Sequence, residues 1–193
     1  MNGEEIHLTL TDKILKVVLL PFIPTWILPN HITYFRLLMI PIIILFLTVK
    51  VYSVGVVLFI LAAFSDAVDG ALARTRNQIT DVGKILDPLV DKVLIVSIVI
   101  MLVPQYFGWL LTGTILLFEI LLVGNAFLMQ KWQATVIQAN GAGKIKMIFQ
   151  SCGVAMLLIF VAFPIPFFLF LAQILLYIGV ASALISLFVY RSI

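Results

Sequence analysis

Five of the chain's nine acidic residues fall between Asp66 and Asp91. The stretch reads Asp66-Ala67-Val68-Asp69-Gly70-Ala71-Leu72-Ala73-Arg74, then eight residues, then Gly83-Lys84-Ile85-Leu86-Asp87-Pro88-Leu89-Val90-Asp91. Hydrophobic sequence flanks it on both sides, and carboxylates in such surroundings are costly unless something pairs them. Arg74, Lys84 and Lys92 are nearby in sequence as ion-pair partners, but four carboxylates make a metal ion the obvious partner. Asp66 and Asp69 are three apart; Asp87 and Asp91 are four apart. On helices each pair shares one face, one turn apart. Two antiparallel helices joined by a short loop can bring the pairs together, and four carboxylates at one point repel unless cations neutralise them. Asp66, Asp69, Asp87 and Asp91 are therefore the candidate ligands. Oxygen-only donors suit hard ions, Mg²⁺ or Mn²⁺, and two such ions can clamp a diphosphate.

The residues between the pairs fit a phosphate-bearing ligand. Gly70 and Ala73 lie one turn apart and clear a shelf for a flat or bulky group. Arg74 can fork onto a phosphate. Gly83 lets the chain approach closely where the next helix begins. The polar loop Thr75–Val82 could cover a nucleotide. A Gly-Lys-Ser/Thr phosphate loop is absent, which argues against ordinary ATP use.

The elements that must hold this stretch are membrane helices. The 193 residues are 63% hydrophobic and 11% charged, with mean hydropathy +1.22; a soluble domain has roughly twice that charged fraction. The expected fold is all-α and integral to the membrane, one domain over residues 1–193. Six spans are expected: about Ile32–Val51, with Pro41 as a kink point, Val54–Ala73, Lys84–Val103, Phe107–Gln130, Gly143–Phe163 and Ile165–Tyr190. Each is near the ~20 residues that cross a bilayer. Residues 1–30 do not read as a signal peptide, because acidic residues and prolines interrupt its pattern. The amphipathic run Leu8–Leu20 is too short to span and is expected to lie in the interface, with Trp26 near the headgroups. Cys152, the single cysteine, is expected as a small buried core residue.

Lysine and arginine set the orientation. One side carries Lys13, Lys16, Arg74, Arg76, Lys131, Lys144, Lys146 and Arg191; the other offers only Lys50. Both termini should face the cytoplasm, and the aspartates should sit just inside the inner surface of the cell membrane. The net charge of +3 does not suggest a nucleic-acid partner.

The whole pattern, Asp-x2-Asp-Gly-x2-Ala-Arg-x8-Gly-x3-Asp-x3-Asp, resembles the signature of the CDP-alcohol phosphotransferases, with every specified position present. Leu28-Pro29-Asn30-x2-Thr33 opening span one extends the resemblance. It implies an integral-membrane enzyme of phospholipid biosynthesis, moving a phosphatidyl group from CDP-diacylglycerol to an alcohol and releasing CMP. It implies two Mg²⁺ or Mn²⁺ ions on Asp66, Asp69, Asp87 and Asp91, with Asp91 also taking the proton of the acceptor hydroxyl. It implies donor contacts from Asn30, His31, Ile32, Thr33, Gly70, Ala73, Arg74, Thr80 and Gly83, and the family's habit suggests a homodimer. Asp87-Pro88-x2-Asp91-Lys92, Gly143-Lys144-Ile145-Lys146 and Gln173-x3-Tyr177 resemble the phosphatidylglycerophosphate synthase branch, whose acceptor is glycerol 3-phosphate. Lys144, Lys146, Glu119 and Arg36 are the candidate acceptor residues; the alternative readings are anchoring at the inner surface for Lys144 and Lys146 and snorkelling to it for Arg36. Phe118 stands before Glu119 where that branch usually has arginine, so inositol phosphate and phosphatidylglycerol stay open as acceptors. A divalent-cation transporter is a remote alternative; it needs carboxylates along the whole path, and the outer half of every expected span is apolar.

Overall fold

The computed structural model describes residues 15, 17–18, 20–24, 26–76, 78, 80–133 and 141–191. Most of the amphipathic run Leu8–Leu20 lies outside these residues. Within it Leu15 and Leu20 are buried, while Val17 and Val18 are exposed. A short 3-10 turn, Leu20–Phe22, precedes five helices: α1 (Pro29–Thr48), α2 (Tyr52–Thr75), α3 (Asp81–Gln133), α4 (Gly141–Ala162) and α5 (Pro166–Arg191). Among the described residues there is no strand. Among the described residues, four stretches are long and apolar enough to cross a membrane: Pro29–Thr48, Tyr52–Thr75, Gly143–Ala162 and Pro166–Leu187. The chain divides into two compact units, Met1–Leu94 and Ile95–Ile193.

In the first unit α1 starts at Pro29, three residues before the expected Ile32. Proline suits a first turn, where its missing N–H leaves nothing unpaired. The backbone N–H of Leu28 donates to His31 Nδ1 at 3.4 Å, closing that turn. The helix continues through Pro41. It ends with Lys50 at φ 60, and the Val51 N–H donates back to Phe46 O at 2.9 Å. This is a left-handed cap in the Schellman pattern, built without the usual glycine. Ile40, Ile43 and Leu47 of α1 and Val56, Phe59 and Ala62 of α2 are buried. A Cβ on Gly55 would come within 2.7 Å of Leu47 Cδ2, so glycine sets how closely α2 approaches α1.

The connection from α2 to α3 is tied to the segment ahead of α1. Arg76 Nη2 donates to Ile23 O at 2.6 Å, and Nη1 lies 3.2 Å from Pro24 O and 3.3 Å from Ile27 O. One guanidinium thus collects three backbone carbonyls of a proline-interrupted stretch, in which the Ile27 N–H also donates to Pro24 O at 3.1 Å.

Helix α3 differs from expectation. The expected spans break between Val103 and Phe107, but helix runs through Pro104 to Phe107 and is interrupted at Gly108, where φ is 84 and ψ 166. The proline ring holds a helical φ, whereas the positive φ at 108 is one that glycine adopts without penalty. In the second unit Val154, Leu157 and Leu158 of α4 are buried, as are Ala172, Leu176 and Ala183 of α5. A Cβ on Gly153 would meet Leu176 Cγ at 2.9 Å and its backbone N at 3.2 Å, so α4 and α5 approach closely there. Cys152 is exposed, not buried as expected. A helix that faces lipid can present a small apolar thiol outward at no penalty, so the soluble-protein tendency does not carry over.

Candidate active site

Helix periodicity places the aspartates of α2 and α3 on faces that meet α1, and the residue at the centre comes from α1. Arg36 is fully buried, with 0% exposure. Its Nη1 donates to Asp66 Oδ1 at 2.7 Å and to Asp91 Oδ1 at 2.5 Å; Nη2 donates to Asp69 Oδ2. Nε lies 3.4 Å from Ser65 Oγ, whose own proton goes to Ala62 O at 2.8 Å. A guanidinium offers five donors in a planar fork, which is why one side chain can serve three carboxylates at once. Removing one member of such a buried set costs roughly 3–5 kcal/mol, because a charge is left uncompensated.

The fourth carboxylate joins through a hydroxyl. Thr33 is buried one turn before Arg36; its Oγ donates to Asp87 Oδ1 at 2.7 Å and sits 3.3 Å from Asp69 Oδ2. The predicted quartet is therefore gathered in one place. Burial is graded across it: the side chains of Asp69, Asp91 and Asp66 are 3%, 28% and 43% exposed. The deep end is closed by α1, and the Asp66 and Asp91 end is open.

Several of the residues expected to contact a donor lie near this cluster. Thr80 caps α3, accepting from the Gly83 N–H at 3.0 Å, and its hydroxyl donates to Asn30 Oδ1 at 3.0 Å. A Cβ on Gly83 would lie 3.0 Å from both those oxygens and 3.7 Å from Asp87 Oδ2, so the glycine keeps this corner open. The Arg74 guanidinium folds back over Gly70, whose Cβ would meet Nη2 at 3.1 Å. Ile32 and Ala73 are half-buried; His31 is exposed, its Nδ1 engaged at the start of α1.

Of the candidate acceptor residues, Arg36 belongs to the aspartate cluster and does not snorkel. Lys146 and Glu119 lie in the second unit as a buried ion pair, and Lys144 is exposed. Lys146, Phe118, Gln150 and Gly179 line a small cavity there. Glu119 Oε2 and Gln150 Nε2 are buried without a hydrogen-bond partner among the described residues. Sequence reasoning missed Gln150, Thr33 as the link to Asp87, and Arg36 as the central cation. A charged residue in an apolar span was the signal for the last of these.

The carboxylate oxygens converge on a guanidinium, and among the described residues no three His, Cys, Asp or Glu side chains are gathered as a ready-made cation cage. The donor set still fits a hard divalent ion. It is all oxygen, carries four negative charges against the single charge of Arg36, and already collects around a cation, the guanidinium standing in for one.

Residues 26–185 match the sequence profile of the CDP-alcohol phosphatidyltransferase family. A Salmonella choleraesuis protein named CDP-diacylglycerol–glycerol-3-phosphate 3-phosphatidyltransferase is 32% identical over 146 residues, 68% of this chain and 76% of that protein. A Rickettsia felis protein of the same name is 41% identical over 81 residues, 40% of this chain. That match spans 45% of the Rickettsia protein, less than half its length.

Proposed function

The chain belongs to the CDP-alcohol phosphatidyltransferase family, and on that premise we propose that it transfers a phosphatidyl group from CDP-diacylglycerol to sn-glycerol 3-phosphate, giving phosphatidylglycerophosphate and CMP. The observation that carries this reading is the convergence of Asp66, Asp69, Asp87 and Asp91, from two helices, in one cluster of graded burial. The names of the relatives support the acceptor.

Asp66, Asp69, Asp87 and Asp91 would hold two divalent ions, Mg²⁺ or Mn²⁺, which would neutralise the donor's diphosphate. Asp91, at the open end, accepts the proton of the acceptor hydroxyl. That oxygen forms the new bond to the lipid-side phosphorus, and the bond from this phosphorus to the CMP oxygen breaks. Arg74 pairs with a donor phosphate, and Gly70 and Gly83 leave room beside it. Asn30 and Thr80 close the nucleotide side of the pocket. Lys146, Lys144, Glu119 and the Gln150 amide, whose Nε2 has no partner among the described residues, suit a small acceptor with hydroxyls and a phosphate.

The two arms of α3, on either side of Gly108, together with α1, α2, α4 and α5, make six spans in the cytoplasmic membrane. The N-terminal segment lies in the interface and both termini face the cytoplasm. The donor's acyl tails then stay in lipid while its nucleotide meets water, and the enzyme works as a homodimer. The test is purified protein with CDP-diacylglycerol, Mn²⁺ and a panel of alcohols, with product lipids identified by mass spectrometry. CMP release with glycerol 3-phosphate is expected; no CMP with any acceptor from folded protein overturns the reading.

A further inference from the structure

The carboxylates already have a cation, and it is part of the chain. Arg36 Nη1 sits 2.7 Å from Asp66 Oδ1 and 2.5 Å from Asp91 Oδ1. Two carboxylate oxygens from different helices thus point at one nitrogen. An ion that bridges those oxygens needs the position Nη1 occupies, and a guanidinium beside a divalent ion is repelled by it. The guanidinium and the ion cannot both hold the open end of the cluster.

The surroundings favour exchange there. Asp69, at the closed end, is bonded by Nη2 and lies beside the Thr33 hydroxyl. Asp66 and Asp91 are the two most exposed of the carboxylates paired with Arg36. An incoming ion meets them first, while Arg36 keeps Asp69. Among the described residues, the other side-chain hold on the guanidinium is the 3.4 Å approach of Nε to Ser65, too long to fix it.

We propose that Arg36 is the resting counter-ion of the aspartate cluster: it holds Asp66 and Asp91 in place before metal arrives, and yields them when a divalent cation binds. Arg36 is a positioning residue in this account. It keeps four converging carboxylates from repelling one another apart, and it weakens metal binding because each ion must displace it. The inference rests on reading the aspartates as metal ligands.

The test is metal affinity of the full chain in detergent, read by the loss of the free Mn²⁺ paramagnetic signal and by the Mn²⁺-induced rise in Tm. Arg36→Gln is expected to bind Mn²⁺ about tenfold more tightly than the wild type while melting lower without metal. Arg36→Lys, which keeps the charge but cannot fork across three carboxylates, is expected to fall between. In wild-type protein labelled with ¹⁵N-arginine, Mg²⁺ is expected to shift one Nε resonance, a readout that needs no variant to fold. Unchanged or weaker Mn²⁺ binding in both variants, with binding lost in Asp69→Asn, overturns the role of Arg36 and leaves the metal reading standing. The same holds if Mg²⁺ binds and no Nε resonance moves. Wild-type protein that binds no Mn²⁺ overturns the metal reading itself.

Discussion

At the scale of single residues, Thr33 is the joint of the cluster, since one hydroxyl links Asp87 on α3 to the pocket closed by Asp69 on α2. Thr33→Val keeps the shape and removes the donor. It is expected to lower stability by about 1–3 kcal/mol, read as a lower Tm in detergent, with Thr33→Ser restoring most of it. Asp91→Asn is expected to abolish CMP release while donor binding stays measurable; retained turnover would remove Asp91 from the role of base. The aspartates were legible because their spacing alone puts each pair on one face. Their partner was not. Arg36 stands thirty residues before Asp66, and helix spacing does not say which helix a distant charge will meet. The nearby cations, Arg74 and Lys92, looked better placed, yet it is the cation of the neighbouring span that the three carboxylates share.

At the scale of elements, hydrophobic length placed α1, α2, α4 and α5 to within about three residues at each end, with Pro29 and Pro166 opening α1 and α5. The turn between α1 and α2 did not, because its left-handed residue is a lysine and the usual glycine signal is missing. Lys50→Gly is expected to raise stability by about 1 kcal/mol, visible as a higher Tm at unchanged activity. Gly153 predicts the reverse. With the Leu176 backbone already 3.2 Å from where a Cβ would stand, Gly153→Ala must push α4 and α5 apart. A loss of about 1–3 kcal/mol is expected in thermal denaturation.

At the scale of the whole molecule, composition alone required a membrane, and the exposed side chains agree with it: Leu110 is 87% exposed, and Ile120 and Leu38 also face outward. Water would not tolerate such an exterior; lipid does. The proposed orientation can be read with single cysteines in a Cys152→Ala background. A membrane-impermeant maleimide is expected to label Lys50→Cys from outside intact cells, and Lys144→Cys only after permeabilisation; the opposite pattern would invert the topology. Gly108 carries a consequence of another kind. A Cβ there would meet nothing within 4 Å, so room is not what glycine provides. At φ 84 and ψ 166 the backbone has the opposite handedness to the one an L residue prefers, at a penalty of about 1–3 kcal/mol. The requirement is chiral rather than steric, and glycine, the one genetically encoded residue with no hand, meets it.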